Sequence, residues 1–124
     1  MRAKILFSII TIGVLFAAHG QSLNSNAKDL QYLNNHTWKS IQRRAVQEYG
    51  ADKISVYHEI NGQSDAFMEI GDILQDPMFD SDLLRASSIN FIEQDEDGHS
   101  YGDFAGWVSY YRELYKIKYG VEPN

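Results

Sequence analysis

Six side chains, Val56, Ile60, Gln63, Phe67, Ile70 and Leu74, follow one another at intervals of 4, 3, 4, 3 and 4. One face of a helix with 3.6 residues per turn meets that spacing, whereas a strand repeats with period two. His58, Asp65, Glu69 and Asp72 fall on the opposite face, so the segment 52–75 reads as one long amphipathic helix. Gly62 weakens its middle by up to about 1 kcal/mol relative to alanine. Asp76-Pro77 ends it, because proline disfavours helix at the residue before it.

The same spacing predicts three further helices. Trp38, Ile41, Ala45 and Tyr49 step along a helix that starts by Thr37, or as early as Ala27, and stops at Gly50. Asp80 or Ser81 caps a third carrying Leu83, Leu84, Ser88, Phe91 and Ile92 and ending near Glu93. Phe104, Trp107, Val108, Tyr111, Leu114 and Tyr115 mark a fourth, which stops at Gly120. No run alternates with period two between hairpin turns, so no strand is expected. The expected fold is all-α, a small four-helix bundle with a helix-loop-helix between helices three and four.

Residues 1–20 have a charged start at Arg2 and Lys4, an apolar run and small residues at Ala18 and Gly20, the pattern of a secretory signal peptide cleaved after Gly20. The apolar run at 5–18 is short of the roughly 20 residues that span a bilayer, so no stable membrane anchor is expected. Residues 21–28 read as a flexible leader, polar and rich in Asn and Ser, and 29–124 as a single helical domain. The expected location is exported, periplasmic or extracellular. There is no cysteine, which removes disulfides, thiol catalysis and zinc-thiolate sites together and leaves packing of the aromatics to hold the fold, 8 Tyr, 2 Trp and the 6 Phe less Phe7 and Phe16 of the leader. The net charge is −6, and loss of Arg2 and Lys4 with the leader makes it −8. Nucleic acid and anionic membranes are therefore poor partners, and a protein partner is expected.

One local constellation carries ion chemistry. From Glu93 to Phe104 the chain reads EQDEDGHSYGDF, with Glu93, Asp95, Asp97 and Asp103 free of any intervening lysine or arginine. These twelve residues resemble an EF-hand calcium loop, in which ligands stand at positions 1, 3, 5, 7, 9 and 12 around a glycine at 6. The resemblance implies Glu93, Asp95, Asp97, the carbonyl of His99 and Tyr101 as ligands, with Gly98 at the turn. Position 12 is Phe104, and Asp103 one place earlier is the carboxylate that would close the loop. The other reading of the same residues is a turn at Gly98, solvated acids, and a capping box in which Ser100 and Asp103 start the last helix.

Other candidates are weaker. His58-Glu59 opens like the zinc-protease helix motif, but Gly62 stands where the second histidine belongs. Asp65, Glu69 and Asp72 lack an apolar pocket to raise a carboxyl pKa, and no serine sits in a nucleophile elbow. Tyr110 and Tyr119, at the edges of the last helix, offer a contact patch, while Arg43-Arg44 and Lys116 with Lys118 read as solvated basic spots. Three functions follow: an exported protein-binding module, including an inhibitor or immunity-type protein against a basic exported toxin; a small metal-dependent hydrolase using residues 93–103 with His99 as proton carrier; and a self-associating component that pairs through the 56–74 stripe.

Overall fold

The computed structural model describes residues 22–123. It is mostly helical, with five helices and one two-stranded sheet among the described residues: α1 (Ser25–Leu33), α2 (Asn35–Tyr49), α3 (Lys53–Gln75), α4 (Ser81–Ser88), β1 (Ile92–Gln94), β2 (Ser100–Gly102) and α5 (Phe104–Tyr119). The expected signal peptide lies outside the described residues.

Asparagine and aspartate side chains punctuate the helices, because their oxygens accept the orphan amide hydrogens of a first turn. Asn24 accepts from Ala27 N at 2.8 Å and Asp52 from Ser55 N at 3.2 Å. Asn34 does two jobs: its amide donates to Leu30 O at 2.8 Å, closing α1, and its side chain accepts from Thr37 N at 3.2 Å, opening α2. The helix expected to run through Thr37 is therefore two helices joined at one residue. The first of them begins inside the span read as a flexible leader at 21–28. Ala27 and Leu30 are fully buried, and the Asn24 amide donates to Asn61 Oδ1 at 2.9 Å, so composition misjudged a segment that has both a cap and an apolar face.

The stripe of α3 is buried within the chain at Val56, Ile60, Gln63 and Ile70, which removes it as a seam between two copies. α3 packs on α2 and α5, α1 covers α2 and α3, and α4 packs on α5. Two apolar clusters result. One gathers α1, α2 and α3 with Phe104 and Val108 of α5; the other joins Ile73 and Leu84 to Tyr111 and Tyr115, and Trp107 packs against both.

Between α4 and α5 the expected helix-loop-helix is absent. Helix α4 stops at Ser88, and residues 92–102 form an antiparallel hairpin pairing Ile92 with Gly102, Glu93 with Tyr101 and Gln94 with Ser100. Asp95 N donates to His99 O and Gly98 N to Asp95 O, both at 3.0 Å, with Gly98 at φ 83°, where glycine is least strained. Strand β2 lies against α2. Asp103 caps α5, accepting from Gly106 N at 2.9 Å; Ser100 is in β2, so the Ser-x-x-Asp capping box does not form.

Candidate functional site

The hairpin gives the six residues proposed as calcium ligands different partners. Asp95 Oδ1 accepts from the amides of Asp97 and His99, both at 2.9 Å, an Asx-type turn that shapes the tip. The His99 amide, joined by that of Asp97, holds the Asp95 carboxyl below the ordinary carboxylate range. Glu93 faces Tyr101 across the ladder and accepts its hydroxyl at 2.8 Å, which raises the phenol pKa. Asp103 is turned inward: its Oδ1 accepts from the Gly106 amide and, at 2.8 Å, from Gln63 Nε2. Glu93 and Asp103 thus act as a cross-strand partner and a helix cap, and the set does not close into one ring of oxygens.

Asp97 and His99 meet a residue from elsewhere. His36, in the first turn of α2, has its ring stacked on that of His99, with centroids 3.7 Å apart and planes inclined by 35°. Ligand atoms of His36, Asp97 and His99 all lie within 4.8 Å of one another, the one such group of three among the described residues. His99 Nδ1 is 3.5 Å from Asp95 Oδ1, and His36, Ser40, Arg43, Asp95 and Tyr101 line a cavity of about 280 Å³ beside the pair. All three clustered side chains are exposed. No local pattern marks His36 in the sequence, since its partners are brought to it by the packing of β2 on α2.

A second concavity lies on the other side of the hairpin. Leu74, Phe79, Leu84, Ile89, Ile92 and Trp107 line a predominantly apolar groove of about 610 Å³ between the end of α3, α4 and β1. Leu74 and Ile89 are 54% and 72% exposed, so large apolar side chains stand in water at its rim. Trp107 is fixed there: its Nε1 donates to Leu84 O at 2.9 Å and Ser87 Oγ at 3.0 Å. Arg85 is the one cation lining the groove and pairs with Asp82 at 3.3 Å. Glu93 lines it as well, and the exposed Asp95, Glu96 and Asp97 follow Gln94 at the hairpin tip, outside the groove's lining.

Tyr119, expected in a contact patch, is 48% exposed but its polar end is bonded within the chain. Its hydroxyl donates to Asp80 Oδ2 at 2.6 Å, beside Lys118 Nζ at 2.6 Å, and its ring lies 4.5 Å from that of Tyr115. Tyr110, 37% exposed, borders Phe91 with centroids 6.0 Å apart. Comparison of the chain with protein-family models, with curated proteins and with solved structures finds no match. No helix of the described residues is long and apolar enough to cross a membrane.

Proposed function

We propose that this chain is an exported protein-binding module that seats an apolar segment of a basic partner in the groove between α3, α4 and β1. The observation that carries the reading is that groove: an apolar channel of about 610 Å³ with Trp107 in its wall and Leu74 and Ile89 exposed at its rim. A large exposed apolar surface is costly in water and gains from being covered, and indole and aliphatic side chains in such pockets dominate interface energies. Charge selects the partner. The chain carries −6 overall, the groove's one cation is paired with Asp82, Glu93 lines the groove, and the hairpin tip carries three further exposed carboxylates at 95–97. Such a field speeds association with a cationic partner and rejects an anionic one. Export rests on the charged, apolar and small-residue pattern of residues 1–20.

The test uses a defined amphipathic helical peptide built from leucine and lysine, with a leucine–glutamate peptide of the same apolar face as its counterpart. Trp107 reports, because it lines the groove whereas the other tryptophan, Trp38, is buried and does not. The leucine–lysine peptide is expected to shift the tryptophan emission saturably, the leucine–glutamate peptide to leave it unchanged, and Ile89→Glu to abolish the shift with the fold intact. No saturable change, equal binding of both peptides, or full binding by Ile89→Glu sinks the proposal.

A further inference from the structure

We infer that His36, Asp97 and His99 form a site for a divalent cation of borderline softness, with Zn²⁺ as the type. The site is separate from the apolar groove and stands without it.

The donor set chooses the cation. Calcium takes six to eight oxygens, whereas two imidazoles and one carboxylate suit zinc and its transition-metal neighbours. Of the oxygens that a calcium loop needs, Glu93 is bonded to Tyr101 and Asp103 to Gly106 and Gln63. Geometry then asks how far the ligands must travel. Their ligating atoms lie within 4.8 Å of one another, and donors around a tetrahedral zinc, with bonds of about 2.0–2.1 Å, stand about 3.4 Å apart. The two rings, stacked at 3.7 Å between centroids, would open to about 5 Å as both turn a nitrogen towards one ion. All three side chains are exposed, so these rotations give up the contact between the two rings without displacing a buried residue.

The backbone beneath the ligands is already held. Asp95 accepts the amides of both Asp97 and His99, fixing the two hairpin ligands relative to each other. On the other side, His36 sits one residue before Thr37, whose amide is bound by Asn34, and between the buried helix residues Leu30 and Trp38 in the chain. Ordering supplied in advance lowers the cost of binding. The local charge is mixed. Asp95 and Asp97 favour a cation, while Arg43 lines the same cavity as Asp95. Three protein donors leave a fourth position for water or for a donor from another molecule, the arrangement of an open site rather than a closed structural one. The ion would join α2 to the hairpin, two elements far apart in the sequence, and so stabilise only the folded chain.

The protein without a polyhistidine tag, titrated with zinc chloride in a calorimeter, is expected to bind one equivalent, and Co²⁺ to give the visible absorption of a tetrahedral site. His36→Gln and Asp97→Asn should each weaken zinc binding at least about tenfold, while both variants keep the helical circular dichroism of the parent. His58→Gln should change nothing, since His58 lies away from the site on α3. Calcium chloride should give no comparable heat. Absence of one-to-one zinc binding overturns the inference; so does binding that survives His36→Gln, because the site would then lie within the hairpin alone. Calcium binding as tight as zinc binding overturns it too.

Discussion

Gln63 occupies the apolar stripe of α3 and is 3% exposed, a position where an amide is costly unless all of it is used. It is used. Its Oε1 accepts from the Phe104 amide at 2.7 Å and from Ala105 N at 3.3 Å, while its Nε2 donates to Asp103 at 2.8 Å and Glu59 at 3.0 Å. One side chain therefore joins the middle of α3 to the first turn of α5. Gln63→Leu keeps the volume but orphans the Phe104 amide, and we expect it to lower unfolding free energy by about 1–3 kcal/mol in urea titrations. Gly102 is equally specific: at φ 136° an added Cβ would stand 2.1 Å from Phe91 O. Gly102→Ala should cost about 1–3 kcal/mol by thermal melting and raise amide exchange in the hairpin. Asp80 accepts from Lys118, Tyr119 and the Leu83 amide, and Lys118 foremost holds its carboxyl far below the usual range. A depressed folded pKa contributes stability above the unfolded value near 3.9 and loses it as pH falls below that. Melting between pH 6 and pH 2 should thus fall less steeply for Asp80→Asn than for the parent.

At the scale of elements, periodicity and punctuation located α3, α4 and α5 because each has both an apolar face and a capping residue next to it. The limits of α3 at Asp52 and Asp76 and the stop of α5 at Gly120 follow from cap chemistry that is local in the chain. Segment α1 was read only as an early start of the next helix, at Ala27, because its polar composition concealed two apolar residues three apart, Ala27 and Leu30, behind an Asn cap. The hairpin escaped because strands of three residues are too short to show alternation, although Asp95, Gly98 and Gly102 are the residues its turn and its crowded exit require. Within the acidic loop, Asp97 and His99 were singled out in the sequence, but their neighbour His36 depends on β2 lying against α2, which no local spacing encodes. Trp107 ties α4 to α5 through its indole N–H. Trp107→Phe should lower stability by about 1 kcal/mol in denaturant, the ordinary worth of one such bond.

For the molecule as a whole, both apolar clusters depend on α5, which gives Phe104 and Val108 to one and Tyr111 and Tyr115 to the other. A chain ended after Asp103 is expected to lose its cooperative urea transition, since neither cluster keeps a full complement of apolar partners. Helix α5 follows every other described element in chain order. The earlier helices pack on one another, but Phe104 to Tyr115 complete both clusters. A keystone shared by two cores binds their fates, so a fault anywhere along α5 is felt at both ends of the molecule at once.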